Sequence, residues 1–155
     1  MKTTLLLLSL IFITQISQSQ SSEINNPPKK AWKILIRNNK SAEENFTMVG
    51  KILIENDYQI EKKDKEFLTF QTSPKNLRKL NASYYFNFYF KDSLIVLTGM
   101  SKINIPIDFG TVSSESNYER IINKGMRGSV SKESFNEMLL VTTWISKNEL
   151  EFIIE

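Results

Sequence analysis

Residues 83–100 read SYYFNFYFKDSLIVLTGM, and this stretch decides the fold. Aromatic side chains recur at every second position from Tyr84 to Phe90, which is the side-chain period of a β-strand. Asp92 and Ser93 interrupt the pattern before a second apolar run begins, so the stretch predicts a β-hairpin with a two-residue turn. With that turn, the aromatic rings share one face with the apolar side chains of the returning strand. The expected cross-strand pairs are Phe90 with Ile95, Phe88 with Leu97 and Phe86 with Gly99.

The opposite face of this hairpin mixes aromatic, apolar and polar side chains. The first interpretation is a second packing layer or an aromatic surface without a binding role. The second is a flat binding platform for a ring-bearing ligand, a glycan or a partner strand. Isolated apolar groups are common on ordinary protein surfaces, which favours the first interpretation. Under the second interpretation this face is the candidate interaction surface. Its residues are Tyr85, Asn87, Tyr89, Val96, Thr98 and Met100.

The N-terminus has the order of a secretory signal peptide, with a basic start, an apolar run and a stretch rich in Ser and Gln. The apolar run from Leu5 to Ile13 is shorter than the roughly 20 residues that a helix needs to cross a bilayer. We expect no transmembrane segment once the signal is removed. The expected divisions are a signal peptide over 1–20, a flexible lead-in over 21–30 and a single domain over 31–155.

The composition points to a compartment and limits the partners. The chain contains no Cys, and an exported protein without disulfides fits a bacterial envelope better than a small eukaryotic secreted scaffold. We therefore expect a periplasmic or extracellular protein of a Gram-negative bacterium. The formal net charge of +3 is too small to indicate a nucleic-acid partner.

The absence of His and Cys also limits the chemistry. It excludes Ser-His-Asp and Cys-His nucleophiles, histidine metal sites and thiolate zinc sites. General acid–base catalysis would depend on Asp, Glu, Lys or Tyr. All four aspartates of the chain lie at predicted turns or strand edges, where turn chemistry explains them. We expect no cofactor and no enzyme activity. The four are Asp57, Asp64, Asp92 and Asp108.

Residues 124–129 read KGMRGS and form a weak candidate anion site. Backbone N–H groups of such a Gly-containing loop, together with Lys124 and Arg127, could hold an anion. The spacing matches no phosphate-binding loop. The alternative is a plain connector before a helix, because Gly and Ser are typical of loops.

Two helices are predicted on either side of the strands. Ser41 and Glu44 form a capping box at the start of a helix over 41–56. A second helix is predicted over 131–147 with Ser131 as its N-cap, although the β-rich run from Leu140 leaves a strand possible there. The state of the apolar tail, Leu150 to Ile154, is left open.

The remaining strands follow from alternation. A first strand places Trp32, Ile34 and Ile36 on one face. A hairpin over 58–72 is predicted with a three-residue loop, Asp64 to Glu66, because an odd loop puts its apolar residues on one side. Ile103 to Phe109 is predicted to be an edge strand, since it contains a Pro, and residues 110–116 a loop.

These elements predict an α+β fold. We expect one curved antiparallel sheet of about five to six strands, with two helices packed on one face. The expected order is β-α-β-β-β-β-(β)-α.

Two runs carry a resemblance to a known family: AEENFTMVGKILIENDYQIEKKDKEFLTFQT (residues 42–72) and YFNFYFKDSLIVLTGM (residues 85–100). They resemble a domain of unknown function with a TATA-binding-protein-like fold, found in secreted proteins of Gram-negative bacteria. The likeness covers roughly residues 31–109. It implies that fold and an exported protein, and it transfers no activity and no site residues.

Three functions remain open on the sequence. The leading hypothesis is a non-catalytic secreted or periplasmic binding module that uses the candidate interaction surface or the exposed edge strand near Ile103. The second is a carrier of an apolar small ligand, held in a cavity between the sheet and the C-terminal helix. The third is a hydrolase that uses carboxylates alone. The partner would be a protein, a glycan or an apolar ligand of the cell envelope.

Overall fold

The computed structural model describes residues 27–104, 107–108, 113–114, 117–147 and 150–155. The predicted signal peptide and residues 21–26 of the lead-in lie outside them. The strands are β1 (Ala31–Arg37), β2 (Ile60–Asp64), β3 (Thr69–Thr72), β4 (Lys75–Asn76), β5 (Ala82–Lys91), β6 (Leu94–Ile103), β7 (Ile107–Asp108), β8 (Ser113–Ser114), β9 (Glu119–Arg120) and β10 (Leu150–Ile154). The helices are α1 (Ala42–Glu55) and α2 (Val130–Ile145).

The central hairpin, β5 and β6, has the predicted register. Its turn is Asp92-Ser93, and the three expected cross-strand pairs are all present. The rings of Phe86, Phe88 and Phe90 are each at most 2% exposed. The period-two aromatic pattern therefore forms the floor of the core, as the alternation predicted.

The described residues form an eight-stranded antiparallel sheet around this hairpin, in the order β10-β1-β6-β5-β3-β2. β4 pairs with β5 and β9 pairs with β6, off that path. Both helices pack on the aromatic face: the Phe46 ring of α1 lies 5.6 Å from Phe90, and Met138 of α2 packs over Gly99. The α+β class and the two helices on one face are confirmed, and the sheet has more strands than expected.

The predicted start of α1 is confirmed. Ser41 Oγ accepts from the Glu44 N–H, and Glu44 Oε2 accepts from the Ser41 N–H at 2.8 Å. These hydrogen bonds with Ser41 lower the pKa of Glu44. A third contact comes from the hairpin turn, because Asp92 Oδ1 accepts from the Ala42 N–H at 2.9 Å. The turn of the hairpin therefore caps the helix that packs on it.

The predicted start of α2 is wrong by two residues. Ser129, not Ser131, is the N-cap, and its Oγ accepts from the Lys132 N–H. Val130 packs against the core as the first helical residue, which explains the earlier start. The helix continues to Ile145, so the β-rich run is helical there. The apolar tail is strand β10, paired with β1.

The predicted loop between β2 and β3 is also wrong. Asp64 pairs with Thr69, which leaves a four-residue loop over 65–68. The register then shifts between Ile60 and Lys62, which marks a β-bulge. The bulge compensates for the changed loop length, since the Ile60 and Phe70 side chains both still lie on the side of α1, within 4.0 Å of where a Cβ on Gly50 would be.

The predicted edge strand over Ile103 to Phe109 is not an edge of the main sheet. Ile103 is the last residue of β6 and pairs with Ala82. β7, within the predicted strand, pairs instead with β8, within the predicted loop, in a separate two-stranded ribbon. Among the residues that the structure describes, the edges of the main sheet are β10 and β2.

The C-terminal part of the predicted flexible lead-in is held in place by Asn123. The Asn123 Nδ2 donates to the carbonyls of Pro27 and Pro28, at 3.0 and 2.8 Å. The Lys30 N–H donates to the Asn123 carbonyl, and the Asn123 N–H donates to that of Ala31. These hydrogen bonds fix residues 27–30 against the loop that contains Asn123.

Candidate interaction surface

The helices leave the second face of the sheet uncovered, and the strand register arranges its side chains in rows. One row crosses five strands, because each of its members is the cross-strand partner of the next. We call it the polar row. Its residues, in order across the sheet, are Lys62, Gln71, Asn87, Thr98 and Lys33.

A second row runs beside it and is mostly apolar. Thr69, Tyr89, Val96 and Leu35 pair in succession across β3, β5, β6 and β1. The Tyr89 side chain is 42% exposed, whereas the inward-facing rings of the same strand are buried. This row therefore offers an aromatic surface next to the polar row.

A cluster of aromatic and basic side chains lies on the other side of the polar row. The Tyr85 ring packs edge-on against Tyr118 at 4.9 Å. Burial raises the pKa of Tyr85, and the nearby Tyr118 and Glu61 raise it further. Met100 pairs with Arg120 of β9 at this position.

Trp32 is on this face, and its predicted position beside Ile34 and Ile36 is wrong. A register shift between Ala31 and Lys33 in the pairing of β1 with β10 accounts for the change. It turns Ala31 into the core and leaves Trp32 half-buried. Two cations lie over the Trp32 ring: Lys33 Nζ at 4.5 Å and the Arg120 Cζ at 4.2 Å from its centroid.

These rows border an open groove with a volume of about 580 Å³. Four of the six predicted surface residues line it: Asn87, Tyr89, Val96 and Thr98. Tyr85 and Met100 are not among its lining residues and lie toward Tyr118 and Arg120. Sequence reasoning missed several lining residues, which come from other strands and become neighbours only through the strand order. Those missed are Trp32, Lys33, Lys62, Lys63, Asp64, Thr69 and Gln71, and the core residues Phe70 and Phe88 also border the groove.

The middle of the polar row has hydrogen-bonding capacity that the protein does not use. Within the described ranges, no hydrogen bond joins the side chain of Gln71, Asn87 or Thr98 to another protein group. All three side chains are half-buried. Two amides and a hydroxyl in this state provide both donors and acceptors toward the groove.

The loop proposed as an anion site lies elsewhere, at the start of α2. Lys124 and Arg127 are exposed, and Gly125 and Gly128 have positive φ angles. The Gly128 N–H donates to Glu133 Oε1 at 2.8 Å. A carboxylate of the protein itself therefore already occupies one of the N–H groups that an anion would use, and the site stays a prediction.

Three of the four aspartates are explained by local structure. Asp64 Oδ1 accepts from the N–H groups of Glu66 and Phe67, both at 2.9 Å. Asp92 caps α1, and Asp57 follows the helix end with a φ of 61°. The side chain of Asp108 lies outside the described residues. Across the described residues, no three metal-binding side chains come together.

The part of the chain that the structure describes has no helix with the length and apolar character needed to cross a membrane.

No family model and no curated protein matches the sequence. Among solved structures, the chain is similar to a TBP-like protein from Parabacteroides distasonis, with 13% identity and a TM-score of 0.45. The similarity covers 82% of this chain and 100% of that one. The α+β fold of this chain is established by its own strand order and register.

Proposed function

We propose that this chain is an exported, non-catalytic binding module of the Gram-negative cell envelope, and that it holds its partner on the helix-free face of the sheet. The observation that carries the proposal is the groove on that face. Tyr89 is exposed beside it, and the side chains of Gln71, Asn87 and Thr98 offer unused donors and acceptors to it. A few placed polar groups beside an aromatic surface are typical of binding sites.

The environment of the acidic residues favours a module without catalysis. A carboxylate-only hydrolase needs two acids that face each other across a cleft. Asp64 is the acid beside the groove, and its Oδ1 accepts two backbone N–H bonds of the following loop. Among the described residues that line the groove, no second acid faces Asp64, so the required pair is missing there.

Packing at Gly99 disfavours the carrier of an apolar ligand. That function needs space between the sheet and α2. A Cβ added to Gly99 would approach Ile121 Cδ1 to 2.6 Å, and both Met138 Sδ and Phe86 Cδ1 to 3.1 Å. The centre of this interface therefore has no room for a ligand.

A matched pair of variants tests the proposal. Tyr89→Ser removes the exposed ring on the groove, and Phe67→Ser removes a ring that is 65% exposed on the loop between β2 and β3. Wild type and both variants are immobilised and exposed to an envelope extract of the encoding bacterium. Retained proteins, glycans and lipids are then identified separately by mass spectrometry.

We expect one class of molecule to be retained by wild type and by Phe67→Ser and lost from Tyr89→Ser. Thermal unfolding of the three proteins should differ little, because both rings are surface groups. Equal retention by all three proteins, or no retention by wild type, would contradict the proposal.

A further inference from the structure

The polar row has the length of a polymer site rather than a site for a small molecule. It crosses five neighbouring strands. Adjacent strands are about 4.8 Å apart, so the row spans roughly 19 Å. A ligand that meets all of its side chains must therefore be extended and lie across the strands.

The chemistry of the row matches hydroxyl groups. Gln71 and Asn87 each present an amide that donates and accepts, and Thr98 presents a hydroxyl that does both. A ligand rich in hydroxyls satisfies such a mixed set, because each hydroxyl also donates and accepts. Tyr89, in the adjacent row, adds an exposed aromatic face, against which the C–H groups of a sugar ring can pack.

The charged side chains that line the groove are mostly cationic. Lys62 lies at one end of the polar row, and Lys33 lies near the other end, where it pairs with Ile153 of β10. Lys63 also lines the groove, and Asp64 is the acid among the lining residues. With three lysines against one aspartate, the lining is complementary to an anionic chain.

From this arrangement we propose that the groove binds an acidic polysaccharide, which lies along the polar row with a sugar ring against Tyr89 and its acidic groups near the two lysines. This inference rests on the proposed function of the same face. A peptide strand added to the sheet fits less well, because the strands in the middle of the groove, β3, β5 and β6, are each paired on both sides. A nucleic acid fits less well, because stacking several bases needs successive open aromatic faces, and the Trp32 ring is in contact with two cations.

The test uses the purified chain and four defined polymers. Calorimetry or biolayer interferometry measures binding of polygalacturonate, which carries carboxylates, and heparin, which carries sulfates. Neutral dextran and an oligo(dT) single strand serve as the other two probes. We expect binding of one or both acidic polysaccharides, weakened by added salt, and weaker binding of dextran and oligo(dT).

Two shape-conserving variants locate the binding. Gln71→Glu puts an anion in the middle of the row and should abolish binding of the acidic polymers. Thr98→Val removes one hydroxyl and should weaken binding by roughly two- to tenfold, the effect of one lost hydrogen bond. The control is Lys51→Gln with Lys65→Gln, since these lysines line the separate groove against α1; it should bind as wild type does.

Several outcomes would overturn the inference. They are equal binding of dextran, preferred binding of oligo(dT), an equal loss in the lysine control, and no binding of any polymer. If Gln71→Glu does not fold, the binding of the acidic polymers by Thr98→Val decides the test. In each of these cases, a partner retained from the extract and lost with Tyr89→Ser would still support the proposed function, so the two failures are distinguishable.

Discussion

The hydroxyl of Tyr58 lies 2.9 Å from the hydroxyl of Tyr84, inside the core between the sheet and the helices. The Tyr84 hydroxyl donates to Glu137 Oε2 of α2 at 3.1 Å. Both tyrosines are at most 3% exposed. This chain of hydrogen bonds ties α2 to the sheet, and it satisfies two polar groups that burial would otherwise leave without water.

We expect the tyrosine pair to make the free energy of unfolding decrease at alkaline pH. Burial raises the pKa of Tyr58 from its usual 10.0 to about 12, and burial raises the pKa of Tyr84 as well. The unfolded chain therefore loses these protons first as the pH rises, so the unfolded state binds fewer protons than the folded state above pH 10. The contribution of these two tyrosines to the free energy of unfolding should be constant below pH 10 and decrease above it.

Urea unfolding between pH 8 and pH 11 measures this effect. Tyr84→Phe removes one of the two groups, so its unfolding free energy should fall less steeply above pH 10. The same variant should be less stable at pH 8 by about 1–2 kcal/mol, since Tyr58 loses its partner. A slope that is identical in wild type and variant would contradict the prediction.

Ser134 carries a buried hydroxyl without a hydrogen-bond partner among the described residues. Its side chain is completely buried in α2. Ser134→Ala removes a polar group that gains nothing from burial and introduces a better helix former. We expect the free energy of unfolding to rise by about 1 kcal/mol. A decrease in the thermal midpoint would show that the hydroxyl has a partner, such as a bound water.

Two glycines should respond to alanine in opposite directions. A Cβ on Gly50 of α1 would meet Ile60 Cδ1 at 3.7 Å, which is an ordinary contact. Gly50→Ala should therefore stabilise the protein by about 1 kcal/mol through helix propensity. Gly99→Ala meets three core atoms at 3.1 Å or less, so it should destabilise by about 1–3 kcal/mol. Chemical denaturation of both variants measures the two changes. If both variants were stabilised, or both destabilised, the packing described at these glycines would be contradicted.

Asn45 holds the start of α1 against the central hairpin. It is completely buried, accepts from Asn38 Nδ2 at 2.6 Å and donates at 3.4 Å to the carbonyls of Lys40 and Lys91. Asn45→Ala leaves these partners unsatisfied and should cost about 2 kcal/mol in the free energy of unfolding. The control Asn136→Ala, at an exposed position on α2, should change it by less than about 0.5 kcal/mol.

The parts of the fold that the sequence predicts correctly depend on local patterns. The hairpin register follows from the alternation around Phe88 and from a two-residue turn, both contained in one stretch of chain. The start of α1 follows from the spacing of Ser41 and Glu44. Neither needs knowledge of what the segment packs against.

The errors arise where two local solutions are equally acceptable. Ser129 and Ser131 are both good N-caps, and the packing of Val130 decides between them. The predicted loop from Asp64 to Glu66 puts the apolar residues on one face without a bulge, and the observed loop over 65–68 does so with the bulge near Ile60. Such choices depend on tertiary contacts that a single sequence does not reveal.

Only the part of the candidate surface that lies within the central hairpin can be predicted from the sequence. Asn87 and Thr98 face each other within the predicted hairpin, so their proximity follows from its register. Lys62 and Lys33 join them only because β2 and β1 lie on opposite sides of that hairpin. No pattern within one strand predicts an order of strands.

The pairing of β1 with β10 has a consequence for biosynthesis. Arg37 of β1 forms an ion pair with Glu151 of β10, 114 residues later in the chain. β1 thus has no outer neighbour until the ribosome has translated β10, and contacts of such long sequence separation slow folding. The nascent polypeptide therefore emerges from the ribosome with its sheet incomplete on the β1 side.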